Sequence, residues 1–167
     1  FAENKNVTVI KGDSIEYLKS CNKHFDVIFI DPARRDARGG RVYNIHDCTP
    51  DVSELLPLMI RHTDKVIAKL SPMLDISQTI RDLTPTDIYS VQGDNGECKE
   101  VLAVIVKDNA DTETNIHIYY DNHFFNFKRS EENTATPIFG NPEIGQYLYE
   151  PCAATMKAAP FTFLSSK

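Results

Sequence analysis

The chain has 167 residues, of which 41% are hydrophobic and 25% charged, and this composition excludes an intrinsically disordered protein. No apolar run is long enough to cross a membrane and no secretion signal opens the chain, so we expect a cytoplasmic protein without membrane contact. The net charge of −6 excludes a protein that binds nucleic acid over its whole surface, but it allows a local basic patch.

The first 92 residues alternate between strand patterns and helix patterns. We predict strands at 6–11, 27–30, 65–70 and 87–92, and helices at 15–23, 50–62 and 76–83. Ser14 is the expected cap of the first helix, and Thr49 that of the second. Strand 27–30 is apolar on both faces, which is typical of parallel strands with helices on both sides. The alternation predicts an α/β fold with a mainly parallel sheet and right-handed crossovers.

The pattern changes after residue 92. The apolar run 100–107 follows the turn-rich sequence QGDNGE with no helix between, which predicts an antiparallel hairpin. A second hairpin is expected at 116–120 and 124–128, around Asp121 and Asn122. A short helix is expected at 153–157. The predicted divisions are an α/β unit at 1–108, an extra hairpin at 109–129, a linker at 130–145 and the start of a small domain at 146–167.

Polar residues follow three of the predicted strands at their carboxyl ends. They lie at 12–14, 31–35 and 69–72. In an open α/β sheet such ends meet at one crevice, where ligands bind. Strand ends also turn polar wherever they reach solvent, so for Asp13 a structural role and a functional role are equally compatible with the sequence. For Asp31, with a proline and two arginines next to it, the sequence favours function.

The succession of a strand, Gly12-Asp13, a helix, FDVIFIDP at 25–32 and a terminal antiparallel hairpin resembles a known family. It resembles the C-terminal half of a class I S-adenosylmethionine-dependent methyltransferase, over about residues 1–108, and is most similar to RNA methyltransferases. The sequence YLYEPCAATMKA at 147–158 is similar to the start of a THUMP-like, ferredoxin-like domain found in a bacterial branch of that group. The resemblance implies a Rossmann-like fold that lacks the N-terminal strands of the full domain.

The resemblance also implies roles for individual residues. Asp13, with Ser14 beside it, corresponds to the acid that binds the adenine amino group of the cofactor. Asp31 and Pro32 correspond to the acid and the carbonyl that hold the substrate nucleophile, and a carboxylate with a carbonyl can orient an amine or a ring N–H. Lys69, at the next strand end, is a further candidate substrate contact.

The sequence departs from two branches of the family. Ala33 and Arg34 stand where amino-group methyltransferases carry a proline and an aromatic ring, although an arginine plane can also stack on a base. The uracil C5 enzymes need a cysteine after the next strand, where this chain has Ser71. Methylation of nitrogen is therefore favoured over methylation of an unactivated carbon.

An arginine-rich loop follows the Asp31-Pro32 motif. It carries four arginines within eight positions: Arg34, Arg35, Arg38 and Arg41. Such a loop suits contacts to RNA phosphates in an otherwise acidic protein. A solvated loop paired with Asp36 and Asp47 is an equally compatible interpretation.

No sequence here matches the family's glycine-rich turn, which holds the methionine part of the cofactor. We therefore expect that turn upstream of Phe1, and we expect the isolated chain to be inactive and without measurable S-adenosylmethionine binding. Strand 27–30 would then expose an unpaired edge. We predict that this edge pairs with a second copy of the chain or with residues 7–10.

Two other functions remain open at this stage. The run that ends in Asp31 also resembles the metal-holding strand of a P-loop nucleotide hydrolase, whose GxxxxGK[ST] motif is absent from this chain. The second alternative is a non-catalytic module that binds RNA or protein. The five histidines have no metal-ligand spacing, so we expect no metal site.

Overall fold

The computed structural model describes residues 6–33, 44–109, 113–141, 143, 145 and 147–167. Within these residues the strands are β1 (Ile28–Ile30), β2 (Lys65–Leu70), β3 (Asp87–Gln92), β4 (Cys98–Val106), β5 (Asn115–Tyr120) and β6 (His123–Lys128). The helices are α1 (Ser14–Ser20), α2 (Val52–Ile60), α3 (Ile76–Leu83), α4 (Arg129–Thr134), α5 (Ala153–Ala158) and α6 (Phe161–Ser165), with a 3-10 turn at Ile45–Asp47. None of these helices has both the length and the apolar character needed to cross a membrane.

The strands form one mixed sheet in the order β1-β2-β4-β3-β5-β6. Of the described pairings, β1–β2 and β3–β5 are parallel, whereas β2–β4, β3–β4 and β5–β6 are antiparallel. The prediction of an α/β fold and of both hairpins is confirmed. The prediction of a mainly parallel sheet is wrong for the described strands, because β4 folds back between β2 and β3 and is antiparallel to both.

The N-terminal segment differs from its prediction. Residues 7–11 lie outside the sheet, and Val9 and Ile10 are 74% and 56% exposed. An extended segment becomes a strand only when a neighbour supplies backbone hydrogen bonds, and no described strand lies beside this one. Since β1 ends the described sheet at that side, the prediction that residues 7–10 pair with β1 is wrong. Pairing with a second copy stays a prediction.

The two faces of the sheet differ in what packs on them. One face, called the covered face, packs against α2, α3 and α5 and forms the core; its strand residues are Ile28, Ile30, Val66, Ala68, Leu70, Ile88, Ser90, Val101, Ala103, Ile105, Ile116, Ile118, Phe125 and Phe127. The other, called the open face, carries Phe29, Ile67, Lys69, Asp87, Tyr89, Val91, Glu100, Leu102, Val104, His117, Tyr119, Phe124 and Asn126, none of which is buried. Phe29 is 58% exposed, so the prediction that β1 is covered on both sides is wrong.

Helix α5 packs on the covered face through side chains and hydrogen bonds. Ala154 and Ala158 are buried in the same core cluster as β3 and β5. The hydroxyl of Ser90 donates a hydrogen bond to the carbonyl of Ala154 over 2.8 Å, and the backbone N–H of Ala153 donates to Gln92 Oε1 over 2.9 Å. The predicted helix at 153–157 is thus confirmed, while the division of the chain into units stays a prediction. Two helices were not predicted: α4, inside the expected linker, and α6.

Three helices begin at an aspartate. The carboxylates of Asp13, Asp51 and Asp75 accept hydrogen bonds from the first backbone N–H groups of α1, α2 and α3. An aspartate cap satisfies N–H groups that have no partner inside the helix, and its charge interacts favourably with the helix dipole. The predicted caps Ser14 and Thr49 are therefore wrong by one and two positions, respectively.

Candidate functional site

The site lies where β1 and β2 end. Because the two strands are parallel, their carboxyl ends reach the same edge of the sheet. Asp31 follows the last residue of β1, and its Oδ2 lies 2.8 Å from Nζ of Lys69 on β2. The same ammonium lies 4.0 Å from Oε2 of Glu100 on β4. Two carboxylates therefore flank one ammonium at the end of the open face.

Exposure decides whether Asp31 can meet a ligand. Its side chain is 45% exposed, whereas those of Lys69 and Glu100 are 24% and 25% exposed. The carboxylate is thus neither packed into the interior nor fully solvated. Of the three charged groups, it is the one most open to an incoming molecule.

The backbone after Asp31 is held in place by its neighbours. Pro32 is buried, and the N–H of Ala33 donates a hydrogen bond to the carbonyl of Thr49 over 2.8 Å. This bridge fixes the direction in which the chain leaves β1, and it also holds the point at which the chain returns before α2. The Asp31-Pro32 motif is therefore held by β1 before it and by the hydrogen bond of Ala33 after it.

A cavity of about 350 Å³ lies beside β1, between α1 and α2. Its lining includes polar groups of Ser14, Tyr17 and Asp31, and apolar side chains such as Leu18 and Met59. The structure thus brings the first and second predicted strand ends to one cavity, as expected from the position of the carboxyl ends. The roles of Ser14 and Asp31 toward a ligand stay predictions.

Asp13 has a structural role in the described fold. Its Oδ1 accepts hydrogen bonds from the backbone N–H groups of Ile15 over 2.8 Å and Glu16 over 3.2 Å. The sequence left a structural and a functional role equally open, and the geometry shows the structural one. A contact between Asp13 and adenine stays a prediction.

Ser71 occupies the position at which the uracil enzymes need a nucleophile. Its side chain is nearly buried, and its hydroxyl oxygen accepts a hydrogen bond from the N–H of Met73 over 3.2 Å. The hydroxyl therefore stabilises the turn after β2. This geometry agrees with the sequence argument against attack on uracil C5.

Four of the predicted substrate contacts, Arg34, Arg35, Arg38 and Arg41, lie outside the described residues. Their contact with phosphate stays a prediction. Among the residues that the structure describes, no group of three or more histidines, cysteines or acids could hold a metal ion.

The sequence did not single out Glu100. Its place beside Lys69 follows from the pairing of Lys69 with Leu102 across β2 and β4, which puts Glu100 diagonally opposite on the same face. No local pattern signals this, because the two residues are far apart in the chain. The alternation of residues in β4 indicates that Glu100, Leu102 and Val104 share one face. Only the register with β2 shows that Lys69 lies on the same face.

A second cluster that the sequence did not identify surrounds His46. Its Nδ1 lies 3.1 Å from Oδ2 of Asp51, and its Nε2 lies 3.5 Å from Oδ2 of Asp82. The hydrogen bond to Asp51 is the main cause that raises the pKa of His46. Burial acts to raise the pKa of Asp51, but hydrogen bonds from Ser53, His46 and the helix N–H groups outweigh it and lower that pKa. This cluster connects the 3-10 turn Ile45–Asp47 to the start of α2 and to α3.

Comparison with known proteins gives one informative similarity. No family model matches the chain, and no curated protein does either. A crystal structure described as that of a "putative methyltransferase" from Porphyromonas gingivalis W83 is 32% identical to this chain, with a TM-score of 0.67. The similarity covers 81% of this chain and 34% of that protein, so the chain spans about a third of its neighbour's length. The chain thus has a methyltransferase-like fold.

Proposed function

We propose that the chain is part of an S-adenosylmethionine-dependent methyltransferase that modifies a nitrogen atom of RNA. The observation that carries the proposal is the position of Asp31. This half-exposed carboxylate closes β1 and lines the cavity that Ser14 also lines. The likeness to a methyltransferase-like structure at 32% identity supports the same conclusion.

The cavity fits one end of the cofactor. Its apolar walls suit a purine ring, and Ser14 supplies a hydroxyl next to the loop that the resemblance assigns to adenine. The methionine end needs a close backbone cradle, and the described glycines do not form one. Gly12, Gly140 and Gly145 face open space, while Gly93 and Gly96 lie in the turn between β3 and β4. The proposal therefore places that cradle upstream of Phe1. When bound, S-adenosylmethionine supplies a methyl group on a sulfonium.

The residues of this chain would bind and orient the nucleophile. Asp31 accepts a hydrogen bond from the substrate N–H, and the carbonyl of Pro32 supplies a second acceptor. Such an enzyme accelerates methyl transfer mainly in two ways. It holds the nucleophile in line with the methyl group, and it excludes water from the site. On methylation the nitrogen would lose its N–H proton to the carboxylate of Asp31, and the sulfonium would be released as a neutral thioether.

RNA is the proposed substrate because of the loop sequence after the motif. Arg34, Arg35, Arg38 and Arg41 follow Asp31 directly in an otherwise acidic chain. Guanidinium groups there would bind phosphates and position the RNA without reading its sequence. A THUMP-like domain that begins near residue 147 is part of the same proposal, and the packing of α5 on the sheet would attach it firmly.

The decisive experiment is the Asp31→Ala substitution in the full-length protein. We expect methyl transfer to RNA to fall by roughly 10²-fold or more, because a misplaced nucleophile loses the advantage of alignment. RNA binding should change little. Asp94→Ala, which removes an exposed carboxylate in the turn between β3 and β4, is the matched control and should behave as wild type. Full turnover in the Asp31→Ala protein would contradict the proposal.

The sequence encoded upstream of Phe1 separates the alternatives. A GxGxG-like turn there supports the methyltransferase, whereas GxxxxGK[ST] would favour a nucleotide hydrolase. A non-catalytic binding module would keep its binding in the Asp31→Ala protein and show no methyl transfer in the wild type.

A further inference from the structure

Lys69 is placed to control Asp31. Its ammonium lies 2.8 Å from Oδ2 of Asp31, which is the distance of a charge-assisted hydrogen bond. Its side chain is only 24% exposed, so its stem packs on the sheet and its head lies at the end of the open face. The lysine is thus well placed to fix one orientation of the carboxylate.

Glu100 holds the ammonium from the other side. Its Oε2 lies 4.0 Å from Nζ of Lys69, and β4 carries it on the same face as the lysine. Diagonal neighbours on adjacent strands interact in this way in many sheets. With a carboxylate on either side, the ammonium has a defined position between β1 and β4.

The contact with Lys69 leaves Asp31 with an asymmetric carboxylate. Oδ2 accepts a hydrogen bond from the ammonium, and no donor among the described residues reaches Oδ1, which leaves that oxygen for an incoming donor. A neutral amine, amide or ring N–H needs only one such acceptor. A substrate N–H therefore does not need the oxygen that Lys69 already occupies, and both contacts with Asp31 can exist together.

We propose that Lys69 is a positioning residue that occupies Oδ2 of Asp31 and directs Oδ1 at the N–H group of the substrate. This inference rests on the proposed methyltransferase function. It goes beyond the assignment of Lys69 as a substrate contact, because the lysine acts through Asp31 and touches neither RNA nor cofactor.

An ordinary ion pair is the competing explanation. Partly exposed ion pairs contribute little to stability and often have no further role. Stability alone therefore cannot test the proposal. The experiment needs a readout that an ion pair without function would not change.

The test uses the full-length protein, labelled S-adenosylmethionine and RNA prepared from cells that lack its gene. In the Lys69→Ala protein we expect kcat to fall by roughly 10²-fold, the scale on which small misplacements act, while KM for RNA stays within a factor of about three. Lys69→Arg should recover much of kcat. Lys65→Ala removes a lysine four residues earlier on the same strand and face and should match wild type.

Chemical rescue gives an independent readout. Ethylammonium chloride should restore turnover to the Lys69→Ala protein in a concentration-dependent way, and sodium chloride of equal ionic strength should not. In this variant ethylammonium replaces the missing ammonium, so rescue shows that the charge acts at Asp31. If Lys69→Ala does not fold, Glu100→Gln serves instead and should lower kcat with KM unchanged.

Three results would overturn the inference. If Lys69→Ala turns over as fast as Lys65→Ala, the ion pair between Lys69 and Asp31 has only a structural role. A rise in KM with kcat intact makes Lys69 an RNA contact. Absence of methyl transfer by the wild type removes the proposed function itself, which separates that failure from the other two.

Discussion

The two faces of the sheet are made by alternate residues of the same strands, yet they have different surroundings. On the covered face Ala68, Ala103, Ile88, Ile116 and Phe127 occupy one row across five strands, and each is at most 1% exposed. The adjacent row on the open face consists of Lys69, Leu102, Tyr89, His117 and Asn126, and none of these is buried. An apolar pattern therefore shows which residues can be buried, whereas neighbouring elements decide which of them are.

Aromatic rings pack against one another on the open face. The rings of Tyr89 and His117 stack at 4.4 Å, and Tyr119 and Phe124 lie 4.8 Å apart. His117 also contacts Asp87 through a 2.8 Å hydrogen bond. Differences between the two faces can be tested one residue at a time.

The largest expected effect on the free energy of unfolding is at Phe127 of β6, compared with Phe124 of the same strand. Phe127 is 1% exposed and stacks on Phe163, while Phe124 is 50% exposed. Phe127→Ala should lower the free energy of unfolding by about 3–5 kcal/mol, because it leaves a cavity in the core. Phe124→Ala should cost about 1 kcal/mol or less, mainly from lost ring contacts. Urea unfolding measures both. Equal losses would mean that the open face is covered in solution.

A smaller effect is expected at the hydrogen bond between the covered face and α5. Ser90→Ala removes the donor that lies 2.8 Å from the buried carbonyl of Ala154. A hydrogen bond of this kind makes a net contribution of about 0.5–1.5 kcal/mol, so the free energy of unfolding should fall by that amount. Ser20→Ala, at the exposed end of α1, is the control and should change little. A neutral Ser90→Ala would show that α5 does not dock as described.

The cluster around His46 predicts a dependence of stability on pH. The pKa of His46 is raised above its usual 6.5, so its contribution is complete below about pH 6.5 and is lost as the pH rises through the folded-state value. The pKa of Asp51 is lowered below its usual 3.8, so its contribution is present above that value and is lost in stronger acid. Urea unfolding at pH 5.5 and pH 8 should show a smaller change in His46→Gln than in wild type. An identical change in both proteins would contradict the assignment.

The smallest effect in the isolated chain is expected at Phe29 on β1. Since this ring is 58% exposed, Phe29→Lys should change the free energy of unfolding by no more than about 0.5 kcal/mol. In the full-length protein the same charge would be buried if upstream residues cover β1, and the loss should then be clearly larger. Equal effects in the two proteins would argue against such a covering.

Much of the fold follows from local sequence signals. The bounds of β2, α3 and β3 agree with their predictions because their hydrophobic period and their flanking turns are unambiguous. Residues 7–10 carry an equally good strand pattern and form no strand, because pairing depends on a neighbour that the local sequence does not specify.

The candidate site was predictable in part for the same reason. Ser14, Asp31 and Lys69 were candidates because ligands bind at the carboxyl ends of parallel strands. In the structure Ser14 and Asp31 line one cavity, and Asp31 contacts Lys69. Glu100 was missed because its contact depends on the register between β2 and β4. That no described element covers the open face was also unpredictable, since Phe29, Ile67, Leu102 and Val104 on that face are apolar too.

The docking of α5 has a consequence for where the chain can be cut. Its small side chains let the helix lie close against the central strands, and it supplies the acceptor for Ser90. A shortened protein that stops before Ala153 would leave that hydroxyl group without its partner and would expose part of β3 and β5 to water. Shortened, tagged or fused versions of the protein should therefore retain α5 and α6, although these helices lie far from β1 in the sheet order.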